Sequence, residues 1–86
     1  MNNAVVNVNV LLFAQARERA GRAKVALALP TGARVSDALD ALERAHPTLA
    51  ALRPHLAVAV NGALARDDDA LPDGAELALL PPVSGG

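Results

Sequence analysis

Hydrophobic and polar residues alternate near the start of the chain. Val6, Val8, Val10 and Leu12 fall on one side of an extended backbone, with Asn7, Asn9 and Leu11 on the other. That is the period-2 signature of a half-buried strand. Residues 13–20 then turn helical in character and Gly21 supplies a stop, because glycine accepts the left-handed backbone that ends helices. A second alternating run sets Val25, Leu27 and Leu29 against Lys24, Ala26 and Ala28. So short a connection makes the two strands antiparallel neighbours.

After turn chemistry at Pro30-Thr31-Gly32, Val35, Ala38, Leu39, Leu42 and Ala45 recur at the spacing of one helical stripe. Asp37 in the first turn and Arg44 in the last complement the helix dipole. Ser36 is the cap candidate, although Leu39 stands where a capping box would place an acid. Pro47 ends the helix near His46, and Leu49 and Leu52 extend its buried face before Pro54. Leu56-Ala57-Val58-Ala59-Val60 predicts a short strand, Asn61-Gly62 a tight hairpin and Ala63-Leu64-Ala65 its partner. Arg66-Asp67-Asp68-Asp69 and Pro72-Asp73-Gly74 predict surface turns. The last strand, Ala75-Glu76-Leu77-Ala78-Leu79-Leu80, is nearly all apolar, which suggests burial on both faces and a central place in the sheet.

The order is strand, strand, helix, strand, short strand, strand. Periodicity alone gives an α+β fold; by analogy it suggests a ubiquitin-like β-grasp, a mixed sheet of about five strands under one main helix. The last strand would then lie parallel beside the first. This divides the chain into a β-grasp domain over 1–80 and an extended tail over 81–86.

Composition narrows the chemistry. Eighty-six residues make one small domain. Phe13 is the only aromatic residue, so the core is aliphatic and its stability is on the order of 5–10 kcal/mol. A net charge of −1 offers no basic surface for nucleic-acid phosphates, and one Phe makes no stacking platform for a single strand. Without cysteine there is no disulfide, thiolate metal site or cysteine nucleophile. No apolar run approaches the ~20 residues of a membrane helix and no leader pattern opens the chain, so a soluble cytoplasmic protein is expected.

Candidate chemistry concentrates at the end, Pro81-Pro82-Val83-Ser84-Gly85-Gly86. The proline pair fixes φ and favours an extended run. The glycines, lacking Cβ, can pass through a narrow channel. Fully extended, six residues reach roughly 20 Å, presenting the Gly86 carboxylate to another protein's active site. The plainer reading is a frayed end. Asp67, Asp68 and Asp69 read as a solvated turn rather than a metal site. Arg17, Glu18 and Arg19 read as a solvated helical face, with Arg17 near enough to Phe13 to join an interface. His46 and His55 read as exposed boundary residues, and Lys24, the only lysine, has no catalytic role.

Taken together, these segments resemble the sulfur-carrying small subunit of molybdopterin synthase. The resemblance runs through Val10-Leu11-Leu12-Phe13-Ala14-Gln15-Ala16-Arg17-Glu18 with Gly21, Ala59-Val60-Asn61-Gly62, and residues 71–80. It ends on the joined pattern of Asp73-Gly74-Ala75-Glu76, an aliphatic strand, Pro81-Pro82 and terminal Gly85-Gly86. One departure is Ala75, where the family commonly has an acid directly after the Asp-Gly turn.

The resemblance implies a protein co-substrate that binds no cofactor stably. An adenylyltransferase similar to ubiquitin-activating enzymes would use ATP to adenylate Gly86, and a sulfur-donor enzyme would convert it to a thiocarboxylate. The tail would then deliver sulfur to cyclic pyranopterin monophosphate inside the large synthase subunit, in a heterotetramer. Gly86 would be the reacting site and Gly85 its thin neighbour. Phe13, Leu64 and Leu80 match the family's partner-facing apolar patch, and Pro81, Pro82, Val83 and Ser84 would thread the channel. For Phe13, Leu64 and Leu80 the alternative is ordinary core packing; Leu80, at the tail root, is the better interface candidate. Competing readings are a thiamine- or cysteine-pathway sulfur carrier of the same fold, a ubiquitin-like modifier joined to protein lysines, and a β-grasp interaction module with an inert tail.

Overall fold

The opening alternation forms strand β1, Val5–Leu12, whose even-numbered residues are buried. In the computed structural model, which describes residues 4–81, it is followed by helix α1 (Ala14–Ala20), strand β2 (Lys24–Pro30) and helix α2 (Val35–Ala45). Two single 3₁₀ turns, Pro47–Leu49 and Arg53–His55, lead to strands β3 (Ala57–Val60), β4 (Ala63–Ala65) and β5 (Ala75–Leu80). The five strands form one sheet in the order β2-β1-β5-β3-β4. β5 is parallel to β1, from Val8↔Ala75 to Leu12↔Leu79, and every other pairing is antiparallel. This is the ubiquitin-like β-grasp, with the last strand central.

The core lies between one face of the sheet and α2. Val8, Val10, Leu12, Val35, Leu42, Leu77 and Leu79 are its most fully buried large side chains, all aliphatic as the composition requires. Leu49 is buried and Leu52 packs against this core as expected. Two expectations are corrected. Ala45, the last residue of α2, is exposed beyond the end of the buried stripe. β5 is central but not buried on both sides: Ala75, Leu77 and Leu79 are buried, whereas Ala78 and Leu80 are only half-buried. The helices cover one face of the sheet, so the apolar residues of β5's second face remain partly open.

The start of α2 also differs from expectation. Ser36 lies inside the helix, and the extended residue at its entrance is Arg34. The Asp37 carboxylate accepts the Arg34 backbone N–H at 2.8 Å. The first helical N–H groups, which have no partner within a helix, are satisfied from far along the chain. Val35 donates to the Asp69 carbonyl and Ser36 to the Asp67 carbonyl, each at 2.9 Å, and the Arg34 guanidinium donates to the Asp68 carbonyl at 2.7 Å. The acidic turn thus caps the helix, and its negative charge sits where the dipole favours it.

The Asn61-Gly62 hairpin forms as read, with φ of 50° and 85°, the paired positive values of a type I′ turn. Asn61 also exchanges two hydrogen bonds with the Glu76 backbone, at 2.8 and 2.9 Å, which ties the hairpin to β5. Arg53 holds the second 3₁₀ turn against α2 through Asp40, at 2.6 Å, and Glu43. Hydrogen bonds to Asp40 and then Glu43 keep the Arg53 guanidinium above its ordinary pKa. Among the described residues no helix is long and apolar enough to cross a membrane.

Candidate functional site

Strand pairing sorts the residues of the uncovered sheet face into rows. Because Leu11 pairs with both Lys24 and Ala78, Ala78 with Ala59, and Ala59 with Leu64, these five cross the whole sheet in a line. The next row toward the chain's exit holds Ala57 opposite Leu80, with Phe13 one residue beyond the last β1–β5 pair. The row on the other side is polar, with Asn9 opposite Glu76. Apart from Val5 at the far end, the larger apolar side chains of this face gather at the end from which the chain leaves β5.

Exposure distinguishes the three predicted patch residues. Leu64 is 78% exposed and Phe13 43%, so neither is an ordinary core residue. Leu80, at the tail root, is half-buried. Pro81 is exposed. Pro82, Val83, Ser84, Gly85 and Gly86 lie outside the described residues. Sequence reasoning missed Leu11, Ala59 and Ala78, although a leucine at Leu11, on the side of Asn7 and Asn9, was a legible signal.

Phe13 is exposed because the chain turns sharply after it. Phe13 keeps an extended backbone as the residue before α1, and Ala14 then takes φ 50°, a left-handed conformation costing a non-glycine residue about 1–2 kcal/mol. α1 closes at Gly21 (φ 72°), whose N–H donates to the Arg17 carbonyl at 2.9 Å. Beside Phe13 an open groove of about 340 Å³ is lined by Gln15, Leu52, His55, Leu56 and Pro81. His55 is exposed as expected, whereas His46 is half-buried.

Charge is unevenly distributed along the chain. Residues 13–24 hold four cations (Arg17, Arg19, Arg22 and Lys24) and one anion (Glu18), a net +3, while the rest of the chain holds four cations and eight anions, a net −4. All five of those side chains are exposed. Among the described residues no three His, Asp or Glu side chains are gathered closely enough to hold a metal ion.

The ThiS family pattern matches residues 10–86. The molybdopterin synthase sulfur carrier subunit of Arabidopsis thaliana is 37% identical over 81 residues, covering 94% of this chain and 84% of that protein. Small archaeal modifier protein 1 of Haloferax volcanii is 45% identical over 83 residues, covering 87% of this chain and 95% of its own. Its crystal structure superposes with a TM-score of 0.84 at 39% identity, over 91% of this chain and 99% of that one. A chain in the complex of subunits 1 and 2 of the Helicobacter pylori molybdopterin-converting factor gives a TM-score of 0.65 at 26% identity, covering 94% of this chain and all of that one.

Proposed function

The chain belongs to the ThiS family, and from that premise we propose that it is a sulfur carrier for molybdopterin synthesis acting through the carboxyl of Gly86. One observation carries this reading furthest: the central strand β5 delivers Pro81 beside an exposed apolar patch containing Phe13, Leu80 and Leu64. A partner that covers the patch receives whatever Pro81 leads to.

The chemistry follows from the weakness of a carboxylate as an electrophile. An activating enzyme joins the Gly86 carboxyl to AMP from ATP and releases pyrophosphate. A donor supplying sulfur at the sulfide level then displaces AMP and leaves a thiocarboxylate. The unbranched glycine presents the least steric resistance to that attack. In the large subunit of molybdopterin synthase the thiocarboxylate sulfur passes to cyclic pyranopterin monophosphate, and water restores the carboxylate. ATP is used by the activating enzyme; this chain holds no cofactor of its own. The working assembly is a heterotetramer, two copies of this chain on a large-subunit dimer, in the cytoplasm. Similarity to the Arabidopsis thaliana sulfur carrier subunit and to the Helicobacter pylori complex supports the pathway and the partner.

The test is intact mass with fragmentation after incubation with ATP, the activating enzyme and a sulfur donor. Sulfur for oxygen adds about 16 Da, nominally the same as one oxidation of Met1, so fragments must place the gain on Gly86. An unmodified terminus would reject the carrier reading. The 45% identity to small archaeal modifier protein 1 supports a second reading, attachment of the same carboxyl to protein lysines. A stable isopeptide adduct in the host would establish it.

Docking gives a further expected result. Leu64→Asp should weaken binding to the large subunit at least ~10-fold, about 1.4 kcal/mol, by placing a charge in an apolar contact. At 78% exposure Leu64 contributes little to folding, so the melting temperature should stay within about 4 °C of the parent, by the small effect usual for surface changes. Unchanged affinity would remove Leu64 from the interface.

A further inference from the structure

We infer that the basic segment from α1 to the start of β2 steers this chain onto an acidic protein surface surrounding the channel that admits its tail. The inference rests on the carrier reading and adds the chemistry of the partner's rim. β1 and β5 run parallel and finish together, while β2 begins at Lys24, opposite Leu11. Arg17, Arg19, Arg22 and Lys24 therefore lie at the end of the sheet from which Pro81 departs. Lys24 also terminates the row that continues through Leu11, Ala78 and Ala59 to Leu64. Positive charge borders the apolar patch directly.

These cations are not spent on holding the fold together. Among the described residues the ion pairs are those of Arg53, and Arg17, Arg22 and Lys24 have no side-chain hydrogen bond. Arg19 alone is engaged, its guanidinium reaching the Thr48 carbonyl at 3.4 Å. A net +3 segment in a chain of net −1 gives the molecule a charge axis whose positive end is the one from which Pro81 departs. An oriented encounter is what such an axis accelerates, and the gain is in association rate. A protein surface is favoured over nucleic acid or a lipid headgroup because the cations border an apolar patch, the arrangement of an interface core with a polar rim, and Phe13 is the only aromatic residue.

The experiment measures association and dissociation rates of the full chain with the host's molybdopterin synthase large subunit. Salt is raised from about 0.01 M to about 0.15 M, over which the screening length falls from roughly 30 Å to about 8 Å. The parent's association rate should fall at least ~10-fold. The Arg17→Gln, Arg22→Gln, Lys24→Gln triple variant should associate slowly at low salt and vary less than ~3-fold, with its dissociation rate within ~3-fold of the parent's. Asp68→Asn, on the acidic turn, should behave as the parent, and melting curves confirm that every variant is folded. A triple variant with the parent's rates and salt response would overturn the inference and leave the carrier reading standing. No association at either salt would overturn both. Tighter binding to phosphatidylserine vesicles or to a single-stranded oligonucleotide than to the subunit would overturn the assignment of a protein partner.

Discussion

A chain lacking Gly86 is expected to fold like the parent yet lose sulfur transfer by more than about 100-fold. Deletion leaves the terminal carboxyl on Gly85, drawn back by one residue, or roughly 3.3–3.6 Å of extended chain. Misplacement of a reacting group by even ~1 Å can cost about 100-fold, and here both the adenylation site and the sulfur-transfer site would be missed. Among the described residues the most fully buried large side chains run no further along the chain than Leu79, and the melting temperature is expected not to move. Two assays separate the steps: formation of the acyl-adenylate by ATP–pyrophosphate exchange with the activating enzyme, and conversion of the pterin by the assembled synthase. Full activity of the shortened chain would mean that Gly86 is not the reacting residue. A fall in melting temperature of several degrees would mean that the terminus also contributes to the fold.

The largest effect on stability is expected from Leu77→Ala. Leu77 is completely buried in the central strand, paired with Val10 on one side and Val60 on the other. Neighbouring strands on both sides restrict collapse into the space left behind, so the loss should fall in the middle of the range for buried leucines rather than at its low end, about 3–4 kcal/mol. For a domain of this size that is a drop in melting temperature of roughly 15–25 °C and a large share of the ~5–10 kcal/mol that holds it folded. Leu80→Ala, in the same strand but half-buried on the uncovered face, should cost less than about 1.5 kcal/mol. Thermal or urea unfolding of the pair decides the matter. Equal losses would mean that both faces of β5 are packed alike, contrary to the one-sided core.

Several elements were legible because a local rule produces them. The alternation from Val6 to Leu12 needs only the period of a strand, and the α2 stripe through Leu42 only the period of a helix. Asn61-Gly62 forms its hairpin because both residues accept positive φ. The cap of α2 was not legible, because its donors are satisfied by the carbonyls of Asp67 and Asp69, about thirty residues away along the chain. Local reading looked to Ser36 for what distant backbone supplies. β5 was placed correctly, but its continuous apolar run suggested two-sided burial. The same run arises when one face feeds the core and the other feeds a patch.

By itself, then, the sequence determined the five strands, the main helix, the aliphatic core and the terminal Gly85-Gly86 on which the proposed chemistry depends, since periodicity and residue chemistry act over a few neighbouring positions. Tertiary structure decided which side of the sheet stays uncovered and in which register its strands meet. Only that register aligns Lys24, Leu11, Ala78, Ala59 and Leu64 in one row, and only the parallel β1–β5 pairing brings Phe13 and the cations of α1 to the end where Pro81 leaves. The physical reason is that strand order is set by long-range pairing and burial, which join residues more than sixty positions apart and leave no trace in the pattern of near neighbours.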